Sequence, residues 1–328
     1  MKSYNNPFTA TISGILDLFR KQRPSGVLKP SDRLDGKTLL VDGASSGLGF
    51  AVAVDAAKRG AKVVMVCRSG IPEKGEIVKK MSKNPDIHML FADFSEVSSI
   101  ISLVKTIKEQ FLPLDILVCN AGIVPRKSRK TSQGLEEMFM VNYLSKFIYI
   151  NLLLKEECFG SDPVSRQKAR IIFVSSETHR NPKEFDWQAF GIYKTYSISK
   201  SIALYGYYKL LLTTFAVELS RRINEEGSRK YSVFALCPGP VNSNISREAP
   251  AIFQPLIKII FALFFVPPSK AAIPIIYMAS SHDMETKLFD YFFRMSERDV
   301  DGMASNPENG KKLWELSEKM SLLLLSHD

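Results

Sequence analysis

The chain has 328 residues, 45% of them hydrophobic, and a formal charge of +10, so it can bury a large core and is too apolar for global disorder. Its Lys and Arg are spread along the chain rather than gathered into a block, which argues against a nucleic-acid partner and suits an enzyme that holds a multiply anionic cofactor. Cys67, Cys119, Cys158 and Cys237 form no C-x-x-C pair and no metal-type cluster; they read as reduced thiols in a reducing, cytoplasmic compartment, and no metal is expected.

Residues 1–34 are broken by Pro24, Gly26 and Pro30 and are expected to form an N-terminal arm. The apolar run at 12–19 is too short and too interrupted for a signal peptide. An alternation then begins. A strand is predicted at 38–41, followed by a helix at 48–59, a strand at 62–67 and a helix at 73–81. The pattern continues with a strand at 87–92, a helix at 98–111 and a strand at 115–119. A long helix at 133–157 precedes a strand at 170–174, and a helix at 196–224 precedes a sixth strand at 232–236. Short apolar strands alternating with helices predict an α/β fold, a doubly wound parallel sheet of Rossmann type in one domain spanning 35–328. The stretch 251–268 is apolar but carries Lys258, and it falls short of the roughly 20 residues a membrane span needs. It reads as a buried helix, as a substrate lid around 246–268, or as an element lying on a bilayer surface.

The first strand runs directly into Asp42-Gly43-Ala44-Ser45-Ser46-Gly47-Leu48-Gly49. A G-x-x-x-G-x-G spacing between strand and helix has a physical purpose. Gly43 permits the tight turn, Gly47 lets backbone approach a pyrophosphate, and Gly49 lets the helix pack closely on the sheet. The helix N-terminus adds unpaired N–H groups and the positive end of its dipole. The second strand ends in Cys67-Arg68. An acid there would favour NAD through the ribose hydroxyl, whereas an arginine can pair with a 2′-phosphate, so NADP(H) is expected over NAD(H), with Ser45 and Ser46 as extra donors.

Further motifs follow in a fixed order: Asp93-Phe94 after the third strand, Cys119-Asn120-Ala121-Gly122 after the fourth, and Val141-Asn142 in the long helix. Next come Val174-Ser175-Ser176, Tyr196-Ser197-Ile198-Ser199-Lys200, and Pro238-Gly239 with Val241. Over about residues 35 to 245 this set resembles the short-chain dehydrogenase/reductase family. The resemblance implies catalysis by Asn142, Ser176, Tyr196 and Lys200: the tyrosine exchanges a proton with the carbonyl oxygen, the serine polarises it, the lysine also holds the nicotinamide ribose, and the asparagine supports a water relay. The spacing agrees, because residues i and i+4 share a helical face and an ammonium nearby favours the phenolate of a group whose free pKa is about 10. Tyr205 and Lys209 repeat that spacing farther down the same predicted helix and are read as packing and surface. Tyr193 has Ser197 at i+4 instead of a lysine and is assigned to the substrate mouth, and His179 is read as a solvated loop residue.

Against the family pattern, Asp42 replaces the usual threonine; it would repel phosphates if it faced them, or would accept backbone hydrogen bonds if it faced the sheet. Cys119 stands for an asparagine, and Asn242 or Ser243 for the threonine after Pro238-Gly239. Met65-Val66-Cys67-Arg68, the long gap between Ser176 and the tyrosine, and the tail from Asn306-Pro307 to Trp314-Glu315 resemble the retinol dehydrogenase-like branch. That implies a lipophilic aldehyde, ketone or alcohol, retinoid- or steroid-like; the Lys-bearing apolar segment and the positive charge leave peripheral membrane contact open, and the family resemblance suggests a homo-oligomer through the helices after Asn142 and Tyr196. The competing readings are a catalytically idle NADP-binding sensor on the same fold and an epimerase or dehydratase of the related group with G-x-x-G-x-x-G spacing.

Overall fold

The computed structural model describes residues 24–160, 168–225, 230–241 and 266–326. β1 (Thr38–Asp42), β4 (Ile116–Cys119) and β5 (Ala169–Val174) are buried along their whole length, and β2 (Lys62–Cys67) and β6 (Tyr231–Cys237) are nearly so. Strands covered on both faces need continuous rather than alternating apolar residues, and these runs supply them. Side chains still divide by parity: Leu39 and Val41 enter one core, and Leu40 the other. With β3 (Ile87–Phe91), β7 (Phe289–Phe293) and β8 (Ser296–Arg298) they form one eight-stranded sheet in the order β3-β2-β1-β4-β5-β6-β7-β8. All neighbours are parallel except β7 and β8.

Helices cover both faces. On one lie α1 (Gly47–Lys58) and, near its edge, α2 (Glu73–Ser82). On the other lies α3 (Val97–Gln110) beside a continuous helical run: α4 (Glu137–Phe139), a π-helical turn at Met140–Leu144, and α5 (Ser145–Lys155). α6 (Ile198–Ile223) completes that face. α7 (Pro268–Ser280) packs beside α1, and after the short α8 (Gly302–Ser305) the terminal α9 (Pro307–Leu325) lies on α6.

Two boundaries differ from expectation in ways that matter. α6 begins at Ile198, because Ser197 is extended (φ −96°, ψ 173°), so Tyr196 lies outside the helix. The helical run expected from 133 begins at Glu137. β7 and β8 were not expected: the sixth strand is followed by an interruption and the sheet resumes only at Phe289. The arm, where described, is docked on that added hairpin. Ser25 N–H donates to Met295 O at 2.8 Å, Ser25 Oγ accepts from Glu297 N–H at 2.8 Å, and Leu34 is buried. The proposed lid around 246–268 lies outside the described residues except at its C-terminal end, where Val266 bridges Val241. Among the described residues no helix is long and apolar enough to cross a membrane.

Candidate active site

β1 and β4 are neighbours in the sheet, yet the chain leaves β1 for β2 and β3 before returning to β4. At such a switch point the loops beyond the carboxyl ends diverge and leave a crevice. A cleft of about 530 Å³ opens there. Its floor is the glycine turn. Gly43 and Gly47 hold φ of +62° and +58°, where L side chains are strained. Gly49 packs so closely that a Cβ would sit 2.6 Å from Gly43 O. Ser46 precedes α1 and its side chain makes no capping hydrogen bond, leaving the N–H groups of the first turn uncapped by it. A backbone cradle and an uncapped helix end are what a pyrophosphate needs, so the residues present fit a dinucleotide.

Ser45, Ser46, Gly47, Leu48, Arg68, Asp93, Phe94, Asn120, Ala121, Gly122, Pro238, Gly239 and Val241, all named from the sequence as cofactor-binding candidates, line this cleft. Arg68 is half exposed, with Nη1 3.5 Å from Asp93 Oδ2. Burial works against ionisation of Asp93, but hydrogen bonds from Ser95 N–H and Oγ, together with Arg68, outweigh it and hold the carboxyl below the usual range. Asn242 and Ser243 lie outside the described residues. Asp42 turns into the protein and away from any phosphate. Its Oδ1 accepts backbone N–H groups from Asn120, at 2.6 Å, and from Ala121, and its Oδ2 accepts from Lys146 Nζ at 2.9 Å.

The other end of the cleft is lined by Val174, Ser175, Ser176, Tyr205 and Lys209. Ser176 lies two residues beyond β5, capping the short helix Glu177–Arg180, and its Oγ accepts from Thr178 Oγ1 at 2.9 Å. Tyr205 lies beside Ser176 at this end of the cleft, and the serine side chain acts to lower the phenol's pKa against its burial. Ser175, by contrast, is buried against Thr213, 2.6 Å between hydroxyls. Lys209 follows Tyr205 by one helical turn, with Nζ donating to Val174 O at 2.7 Å and lying 5.6 Å from the Tyr205 ring centroid. Asn142, in the π turn, clasps the Ile123 backbone, with Oδ1 accepting from N–H at 2.8 Å and Nδ2 donating to the carbonyl at 2.9 Å. Gly122 faces both Asn142 and Lys209: a Cβ there would lie 3.4 Å from Asn142 Oδ1 and 3.8 Å from Lys209 Nζ.

The structure does not bring Tyr196 and Lys200 to this cleft. Tyr196 precedes α6, so the i,i+4 geometry does not apply to it. Its hydroxyl donates to Glu136 Oε1 at 2.8 Å; burial, and then that bond, push the phenol well above its ordinary range. Glu136 borders a different cavity of about 270 Å³, against Tyr207 and Tyr208 on another face of α6. Lys200 is exposed in the first turn. Tyr205 and Lys209, read from sequence as packing and surface, are the pair that the helix turns into the cleft. One signal could have found them. Lys209 stands within Tyr207-Tyr208-Lys209-Leu210-Leu211-Leu212, and a lysine buried in such a run needs a partner and a reason.

Residues 37–251 match the family model for short chain dehydrogenases. The chain belongs to the short-chain dehydrogenase/reductase family. It is similar to retinol dehydrogenase 13 of Mus musculus, 30% identical with 97% of this chain and 93% of the relative aligned. Retinol dehydrogenase 14 of Mus musculus is 31% identical over 92% and 90%. The fold also matches the solved NADP active-site complex of Pseudomonas aeruginosa RhlG, with TM-score 0.60 and 21% identity over 85% of this chain and 100% of that one. This member of the short-chain dehydrogenase/reductase family is therefore an NAD(P)-dependent oxidoreductase of alcohol and carbonyl groups, in the retinol dehydrogenase-like branch.

His179 also departs from its sequence reading. It is wholly buried, with Nδ1 2.7 Å from Ser176 O and Nε2 accepting from Asp301 N–H at 3.3 Å. A carbonyl partner on Nδ1 fixes the proton there. Burial, aided by Arg180, pushes its pKa down to about 4, so the ring is neutral and ties the backbone of Ser176 to the segment before α8.

Proposed function

We propose that the chain moves a hydride between NADP(H) and a lipophilic aldehyde, ketone or alcohol of retinoid- or steroid-like character, with Tyr205 as the acid and base. The observation that carries this reading is the convergence of Ser176, Tyr205 and Lys209 on one end of a cleft whose other end fits a dinucleotide, with Asn142 behind its Gly122 wall. The nicotinamide, when bound, supplies or accepts the hydride. Tyr205 Oη donates a proton to the carbonyl oxygen in reduction and removes it in oxidation. Ser176 Oγ holds the same oxygen and aligns it with the phenol. Burial and Cys237 push the Tyr205 phenol up, with the neighbouring Ser176 side chain opposing them, so a cation is needed to bring the phenolate into range. Lys209 is that cation, one turn away. Its own pKa is lowered to about 8 by burial, with Lys146 acting the same way and Asp42 opposing. Asn142 keeps the backbone at Ile123 in register behind the lysine.

Arg68 at the end of β2 supports NADP over NAD, with Ser45, Ser46 and Ser69 beside it. The relatives' names and the apolar wall of Ile123, Val124 and Pro125 support a lipophilic substrate. Peripheral contact with an acidic bilayer is part of the same reading. Ile192, Ile198 and Ile202 are exposed at 58%, 58% and 62%, among the exposed Lys127, Lys130, Lys194 and Lys200. The deciding experiment follows NADPH and NADH absorbance with hydrophobic aldehydes and ketones. Native protein is expected to oxidise NADPH in preference to NADH, and Tyr205→Phe to lose at least a hundredfold in turnover while still binding NADPH. Unchanged turnover in Tyr205→Phe would sink the assignment. NADPH binding without turnover on any carbonyl would favour the idle sensor.

A further inference from the structure

The ion pair of Asp42 and Lys146 is the most deeply buried charge pair described, with side chains 0% and 1% exposed. Such a pair is weak evidence of stabilisation, since apolar replacement of buried pairs is often neutral or favourable. Its position points elsewhere. Asp42 ends β1, immediately before the glycine turn, and its carboxylate accepts the backbone N–H groups of Asn120 and Ala121 beyond β4. Asn120 returns a bond from Nδ2 to Asp42 O at 2.9 Å. Lys146, from α5, closes the pair and sits 3.8 Å from the ring centroid of Phe94. Gly43, Phe94, Asn120 and Ala121 all line the cleft. Three of its walls therefore meet on one carboxylate and one ammonium.

We propose that Asp42 and Lys146 are positioning residues for the dinucleotide: the carboxylate locks the loop beyond β4 against the glycine turn, and the lysine makes that carboxylate tolerable in the interior. A charged acceptor holds amide donors more strongly than a hydroxyl does. It is permissible inside only because the ammonium and the two N–H groups satisfy it. The pair is thus a unit. Lys146 without Asp42 is a second unpaired ammonium near Lys209, and Asp42 without Lys146 is an unpaired anion beneath a site for phosphates. The inference rests on the dinucleotide reading.

The test is a set of NADPH titrations, read by the enhancement of its fluorescence, with thermal midpoints in parallel. Asp42→Asn is isosteric, but it presents an amide NH2 to Lys146 or to the backbone donors. It is expected to weaken NADPH binding at least tenfold, as is Lys146→Met. The double variant Asp42→Thr with Lys146→Met removes both charges and keeps a hydroxyl for the backbone, and is expected to bind within about threefold of native. If Lys146→Met does not fold, Asp42→Asn and the double variant carry the comparison. Folded single variants that bind within twofold of native while only their thermal midpoints fall would overturn the proposal. A double variant as weak as the product of the single losses would do the same. Native protein that binds neither NADPH nor NADH would overturn the dinucleotide reading and this role with it, whereas tight native binding with unchanged variants would overturn the pair's role alone.

Discussion

Tyr205 and Tyr196 are both tyrosines four residues ahead of a lysine, so their replacement separates position from composition. Tyr196→Phe removes a bond to Glu136 on another face of α6 and is expected to leave turnover within a few-fold of native. Tyr205→Phe is expected to abolish it. Lys209 adds a test with a sign. Its folded pKa, about 8, lies below the ordinary 10.5 because of burial and then of Lys146, with Asp42, Cys237 and Cys119 opposing. The penalty for burying the charge is therefore fully present below pH 8 and is relieved as pH rises towards 10.5, where the unfolded chain still binds the proton that the folded chain has lost. This contribution favours the folded state by an amount on the order of 3 kcal/mol across that window. Turnover runs the other way: kcat/KM is expected to fall above about pH 8 as the cation beside Tyr205 disappears. Lys209→Met should remove turnover and flatten that part of the stability profile. A native stability profile indistinguishable from that of Lys209→Met between pH 8 and 10 would count against the buried charge.

At the scale of elements, His179 gives the acid-side counterpart. The short helix Glu177–Arg180 hangs from Ser176 and is tied to the segment before α8 by this neutral ring. With a folded pKa near 4 against an ordinary 6.5, the unfolded chain takes up the proton first as pH falls. Stability is then lost progressively between about pH 6.5 and 4, by roughly 3 kcal/mol from this group. His179→Gln cannot titrate, so urea unfolding should find the gap between native and variant shrinking over that interval; a constant gap would contradict the burial. Elements of this kind were only partly legible in the sequence. Strands β1 to β6 were legible because buried parallel strands are short apolar runs between turns, and the glycine turn because its φ values demand glycine. The pair proposed as catalytic was not, because i,i+4 spacing is satisfied twice within 14 residues and the choice depends on where α6 starts. Ser197 decides that by staying extended. The partnership of Lys146 with Asp42 was invisible for a different reason: the two are 104 residues apart and meet only through the packing of α5 under the sheet.

The whole molecule decides which faces are left for partners. The helices that the family resemblance assigns to subunit contact are covered here by the chain's own C-terminus. Trp314 of α9 lies 5.0 Å from the Phe147 ring and 5.9 Å from the Phe215 ring, beneath the Arg222 guanidinium, and Tyr143 Oη meets Ser317 Oγ at 2.5 Å. A second copy cannot use that face without displacing α9, so sedimentation should find no dimer that depends on it. Among the described residues, one exposed apolar patch lies where α6 starts. Ile198 and Ile202 are one turn apart on α6 and project together. The patch is fixed to the loop after β4 by Tyr193 Oη donating to Ser128 Oγ at 3.2 Å, by Ser201 Oγ donating to Pro125 O at 2.5 Å, and by Lys130 over the Tyr193 ring. Lys194 is paired with Asp186 at 3.5 Å, but isoleucines beside Lys127, Lys130 and Lys200 suit a surface with an apolar interior and anionic headgroups, where each lysine contributes about 1 kcal/mol and salt weakens the attraction. Vesicles containing phosphatidylserine should therefore retain the protein in flotation, and 0.5 M salt or neutral vesicles should release most of it. Ile198→Asp with Ile202→Asp should abolish retention while turnover of a water-soluble aldehyde persists, because neither side chain lines the cleft. Retention unaffected by those replacements would move the membrane contact away from this patch and would separate substrate entry from it.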